Sequence, residues 1–93
     1  MRLKTFEVAA IKDAVYEFDQ EAKIYLFGSR ADDAKRGGDI DLFILSNKIS
    51  RDQKRRIKIK LYDKIGEQRI DIMVSPEIKK AFHRIALTTG VEL

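Results

Sequence analysis

The sequence contains no cysteine, a single proline and a single histidine. Without cysteine it can form neither a disulfide framework nor a thiolate metal site, and a reducing cytosol is compatible with it. His83 has no second nitrogen ligand with which to share a metal, so it reads as a surface or half-buried helix residue. No apolar run approaches the roughly 18 residues that span a bilayer. Met1 to Phe6 carries no apolar signal core. These absences lead us to expect a cytoplasmic protein with no membrane partner.

What is present is a folding sequence. Hydrophobic residues make up 44% and charged residues 37% of 93 positions, a balance that argues against disorder. The length allows one domain, residues 1–93. At this size a core buries only roughly 60–65% of the unfolded surface. Stability should be modest unless a ligand or partner adds to it. The formal charge of +4 attracts anions without choosing among nucleotides, nucleic acid and acidic proteins.

Phe6, Ala10, Ile11, Ala14, Val15 and Phe18 recur at three- and four-residue steps, which predicts a helix from about Thr5 to Glu21. Lys23 to Phe27 is a short apolar run ending at Gly28 and predicts a buried strand. Residues 30–38 fit a short helical turn and a Gly-Gly loop. Asp39 to Leu45 predicts a central strand. Ser50 and Gln53 have capping-box spacing and open a helix whose inner stripe is Ile57, Leu61 and Ile65, with Gly66 at its stop. Gln68 to Val74 predicts a third strand. Ser75-Pro76 predicts a last helix carrying Ile78, Phe82, Ile85 and Ala86, ended by Gly90. The order α-β-α-β-α-β-α implies an α/β domain, a small mixed three-stranded sheet flanked by helices. The crossover through residues 50–66 suits parallel second and third strands, and the shorter connection at 29–38 suits an antiparallel first pair.

Asp39 and Asp41 are two apart on a strand, so both carboxylates project to one face. They repel each other unless a cation neutralises them. Oxygen donors without Cys or His suit a hard ion such as Mg²⁺ or Mn²⁺. Taken alone, the pair also fits a solvated strand entrance. Asp71 interrupts the apolar run Ile70 to Val74. If buried, it needs a neighbour such as Arg69 or a metal. On a parallel third strand it would reach the first two. Three carboxylates suit two ions, one lowering the pKa of an attacking hydroxyl and one holding a triphosphate. Gly28-Ser29-Arg30 follows a strand. Its backbone N–H groups, the Ser29 hydroxyl and the Arg30 guanidinium form a candidate phosphate pocket.

Gly28-Ser29, nine intervening residues, then Asp39-Ile40-Asp41-Leu42, resembles the signature of the polymerase-beta-like nucleotidyltransferases. The stretch GSRADDAKRGGDIDLFI is most similar to the small prokaryotic minimal nucleotidyltransferases (MNT). The resemblance extends over the whole order of elements. It implies the nucleotidyltransferase fold and transfer of an NMP, AMP by preference, from an NTP such as ATP to a hydroxyl, with release of pyrophosphate. It implies that Gly28 and Ser29 bind the triphosphate, with Arg30 a weaker assignment. It further implies that Asp39 and Asp41 ligate both metals and that Asp71 completes the one that activates the acceptor. Larger relatives carry a further domain for the acceptor, so that platform is expected to be missing here or supplied by another protein. In MNT pairs this is a small helical HEPN toxin, of which the MNT protein is the antitoxin.

Two other functions compete. The chain could mask its partner without catalysis, and apolar surface near Val91 and Leu93 is then the expected docking place, for a partner or a second copy. Alternatively the basic stretch Arg51 to Lys60 could bind nucleic acid. Its amphipathic pattern fits a solvated outer face better, and no aromatic residue interrupts it, which argues against a single-strand platform. Tyr16, Tyr25 and Tyr62 fit packing roles better than catalytic ones.

Overall fold

Residues 3–31, 38–66, 68–78, 84 and 88–93 are described by a computed structural model. Helix α1 spans Thr5–Tyr16. Ala10, Ile11, Ala14 and Val15 are buried, as their spacing requires. Phe6 departs from the expected stripe and is 55% exposed, while Glu7 is buried in its stead. Glu7 lies four residues before Ile11, on the same helical face, so its carboxylate must enter the core edge. It does so with donors supplied: the Lys4 N–H and the Gln68 side-chain amide each lie 2.9 Å from it. The helix also ends earlier than Glu21. Asp19 accepts the N–H of Glu21 at 3.0 Å and the Ser46 hydroxyl at 2.5 Å, a side-chain turn that redirects the chain into the sheet.

Strand β1 is Lys23–Phe27, followed by a 3-10 turn at Gly28–Ala31. Strand β2 is Ile40–Leu45, helix α2 is Arg51–Ile65 and strand β3 is Ile70–Ser75. The fold is the expected mixed α/β arrangement, with β1 antiparallel to β2 and β2 parallel to β3. One strand had no counterpart in the sequence reading. Val91–Glu92 forms a short β4 against β1, so the sheet has four strands in the order β3-β2-β1-β4. Val91 pairs with Leu26, and Leu93 packs against the core. The apolar docking surface expected near these residues is therefore used within the chain.

Ile24, Leu26, Ile40, Leu42, Ile44 and Ile70 face α1 and α2 and meet Ile57, Leu61 and Ile65 there. Each such side chain contributes roughly 1.5–3 kcal/mol by leaving water. Ser50 caps α2: its hydroxyl accepts the Gln53 N–H at 3.2 Å, and the Gln53 side chain accepts the Ser50 N–H at 2.9 Å. Gly66 closes the helix at φ +87°, a conformation that favours glycine.

The expected helix start at Ser75-Pro76 is displaced. Ser75 is the last residue of β3, its carbonyl accepts the Ser46 N–H at 3.0 Å, and Pro76 and Glu77 form a bend. Ladder pairing thus holds Ser75 in extended geometry. Ile78 is 40% exposed. Phe82, His83, Ile85 and Ala86 lie outside the described residues, whereas Arg84, Thr88 and Thr89 are helical. Asp32 to Gly37 also lie outside them.

Candidate active site

Period-two alternation decides the site. Ile40, Leu42 and Ile44 turn to the helices, so Asp41 and Phe43 project from the opposite face of β2, with Asp39 just before the strand. The parallel register then sets Asp41 directly beside Asp71. One oxygen from each of Asp39, Asp41 and Asp71 lies within 4.8 Å of the others, a spacing that fits a shared cation. The three carboxylates converge as the sequence predicts.

Their surroundings differ from expectation in one respect. Asp71 is exposed, so it carries little desolvation cost, and Arg69 pairs with Asp39 instead, at 3.4 Å. The strained member is Asp41. Partial burial pushes its carboxyl above the ordinary aspartate value, and the charges of Asp71 and Asp39 and a hydrogen bond with Asp71 push it the same way. Arg69 opposes this. Its guanidinium is largely in water, where an ion pair is screened and weak. A hard divalent ion would relieve this repulsion, and the all-oxygen donor set suits one.

Gly28 is at the closest point of approach. It follows Phe27, which lies opposite Asp41 near the start of β2. Its φ is +74°, and a Cβ there would sit 2.5 Å from Asp41 Oδ2. A side chain at position 28 would collide with a candidate ligand, so the glycine follows from the carboxylate beside it. The Ser29 backbone lies in the 3-10 turn; its side chain is outside the described residues. Arg30 is engaged: its Nε donates to the Gly38 carbonyl and its terminal nitrogen to the Gln68 side-chain oxygen, both at 3.2 Å.

Arg30 is thereby part of a network that the sequence reading missed. Gln68 also donates to Glu7 at 2.9 Å and to the Ile65 carbonyl at 3.1 Å. The network ties α1, the 3-10 turn, the approach to β2 and the end of α2 behind the acidic cluster. Burial alone would raise the Glu7 carboxyl. The Lys4 N–H, the Gln68 amide and the charges of Arg30 and Lys4 outweigh it and hold Glu7 below its ordinary value. A glutamate placed on the inner stripe of α1 was the available signal.

A cleft of about 730 Å³ opens beside the carboxylates. Phe27, Asp41, Asp71 and Met73 line one part of it, and Arg51, Lys54, Arg55 and Lys58 of α2 line another. The basic stretch read as a solvated face thus has a side turned to the site. The 51, 54, 55, 58 spacing, one helical face, was the signal for it.

Residues 8–90 match the family described as the nucleotidyltransferase domain. The chain belongs to that family, which agrees with the mixed sheet and with the acidic cluster. No curated protein matches the chain. No described helix is long and apolar enough to cross a membrane.

Proposed function

We propose that the chain is a metal-dependent enzyme that transfers an NMP, AMP by preference, from an NTP to a hydroxyl on a protein partner. The observation that carries this reading is the meeting of Asp39, Asp41 and Asp71 within 4.8 Å, in a chain of the nucleotidyltransferase-domain family. Mg²⁺ or Mn²⁺ bound there would stabilise charge on the phosphates and lower the pKa of the accepting hydroxyl. Asp39 and Asp41 would hold the ions. Asp71, the exposed member, would face the acceptor and orient its hydroxyl. Gly28 and Ser29 would receive the triphosphate through backbone N–H groups, the close approach being open because position 28 has no side chain. The acceptor oxygen bonds to the α-phosphorus as the bond from that phosphorus to the bridging oxygen breaks. Pyrophosphate leaves, and the hydroxyl proton passes to Asp71 or to solvent. Arg30 acts here as a positioning residue for the loop, since its guanidinium is engaged by Gly38 and Gln68.

The resemblance to MNT proteins supports a small helical HEPN-type partner as acceptor and an antitoxin role. The test is incubation of the protein with α-labelled ATP, Mg²⁺ and such a partner. Label should appear on the partner and vanish with Asp41→Asn. Label transfer that persists in Asp41→Asn would overturn the reading, as would Mg²⁺-ATP binding with no transfer to any hydroxyl acceptor. A purely masking antitoxin predicts neutralisation of the partner that survives Asp41→Asn.

A further inference from the structure

We propose that the cleft face of α2 is the docking wall for the acceptor, and that this acceptor is an acidic, extended polypeptide segment laid along β3. Four observations converge on it.

The first is selective pairing of charge along one helix. Arg56 is paired with Asp52, and Lys60 with Glu17. Arg51, Lys54, Arg55 and Lys58, the cations that line the cleft, have no acidic partner among the described residues. Lys58 only lies over the Tyr62 ring, at 6.0 Å. Among the described residues, Arg56 and Lys60 outside the cleft are paired and Lys64 is not, whereas all four cations of the cleft face are bare.

The second is that this arrangement works against the helix itself. Arg51 and Lys54 lie in the first turn of α2, where the helix dipole disfavours positive charge. Local stability therefore does not account for these positions, and an anionic ligand does.

The third is the shape of the cleft. Asp71 and Met73 point to one face of β3 and Ile72 to the other, and all three line it. The cleft therefore wraps the outer edge of β3. That strand ends the sheet among the described residues, so its outer N–H and C=O groups offer a template for an added strand. From Arg51 to Lys58 the helix advances about 10 Å, which three extended residues cover. Main-chain pairing of this kind suits a polypeptide. A nucleic acid strand would want aromatic platforms between the cations, and none interrupts Arg51 to Lys58.

The fourth is sidedness. Gly28 approaches Asp41 from β1, whereas the cationic wall shares its cleft with Asp71, Ile72 and Met73 of β3 and reaches β1 only at Phe27. A nucleotide on the glycine side leaves the β3 side for the acceptor. That assignment rests on the transferase reading proposed above; the binding of an acidic segment does not.

The test uses the full chain and fluorescence anisotropy of a labelled glutamate-rich peptide that carries side-chain hydroxyls. A lysine-rich counterpart and a single-stranded oligonucleotide are measured beside it. The acidic peptide should bind best, and Arg51→Gln/Arg55→Gln should weaken it about tenfold or more, while Arg56→Gln changes it less than about twofold. Mg²⁺-ATP affinity should be unchanged in both variants, which also shows that they are folded. Asp71→Asn should keep peptide affinity. Equal binding of acidic and lysine-rich peptides, an equal loss with Arg56→Gln, or preference for the oligonucleotide overturns the proposal. Peptide binding without AMP transfer sinks the transferase reading alone, and transfer without acidic selectivity sinks this inference alone.

Discussion

Glu7 and Asp19 are more deeply buried than any aspartate of the candidate site, at 4% and 5% exposure, yet they are the comfortable carboxylates of this protein. The Ser46 hydroxyl, the Glu21 N–H and the charge of Lys48 outweigh burial and hold Asp19 below its ordinary value. Glu7 is held low in the same way by Lys4, Gln68 and Arg30. Asp41 is pushed up, first by its partial burial and then by the charges of Asp71 and Asp39, with only Arg69 opposing. Burial raises all three; what differs is whether donors are supplied to outweigh it. A carboxylate that serves structure comes with hydrogen bonds from the chain. Those of the site are set against one another, an arrangement that a bound cation would relieve.

Substitution should expose this difference. The largest expected effect is on chemistry: Asp41→Asn should lower the rate of AMP transfer by at least about 10²–10³-fold, the scale of losing a group that stabilises developing charge. Quantified label transfer under saturating ATP measures it, and Asp19→Ala assayed well below its melting temperature should lose only a few-fold. Next in size is Gly28→Ala. The positive φ and the collision with Asp41 should cost about 1–3 kcal/mol of stability and weaken Mg²⁺-ATP binding, read by urea denaturation and calorimetry. Full activity in this variant would show that the contact between loop and carboxylate is dispensable. Asp19→Ala should cost about 1–3 kcal/mol in urea, since it strips a buried hydroxyl of its acceptor.

The smallest effect has the opposite sign. In metal-free protein Asp41→Asn should stabilise the fold by up to about 1 kcal/mol, because it removes like-charge repulsion. The folded state holds the Asp41 proton more tightly than the unfolded state does. Wild-type stability from this group is therefore lost as pH rises above the ordinary value of 3.8, and the gain from Asp41→Asn should grow over that range. For Glu7 and Asp19 the sign reverses. Their contribution is present above the ordinary values of 4.5 and 3.8 and is lost as pH falls below them. Thermal melts across this range compare the two groups directly. Saturating Mg²⁺ should raise the wild-type midpoint and erase the advantage of Asp41→Asn.

The readable parts of the molecule were those written in local spacing. The capping box at Ser50, the stripe of Ile57, Leu61 and Ile65, and the stop at Gly66 all concern residues within a turn or two of one another. So does the Asp39/Asp41 pair. Less readable were features that join distant segments. Phe6 and Glu7 are adjacent, and which one enters the core depends on Gln68, sixty-one positions further on. Ser75 has the composition of a helix cap but is claimed by the β2 ladder. Val91–Glu92 is too short to announce itself as a strand and exists because β1 has a free edge to receive it.

The amino-acid sequence by itself determined the chemistry available: oxygen donors without sulfur, two aspartates on one strand face, a Gly-Ser turn after the first strand, and a helix rich in cations. Alternation along a strand and periodicity around a helix are properties of the local backbone, so they can be read without knowing the neighbours. Tertiary structure alone decided what meets what. The parallel register brought Asp71 beside Asp41, the packing of α2 placed four of its cations along the cleft, and the Glu7–Gln68–Arg30 network tied the 3-10 turn to α1 and the end of α2. These are contacts across long loops, which become favourable only when the whole core closes.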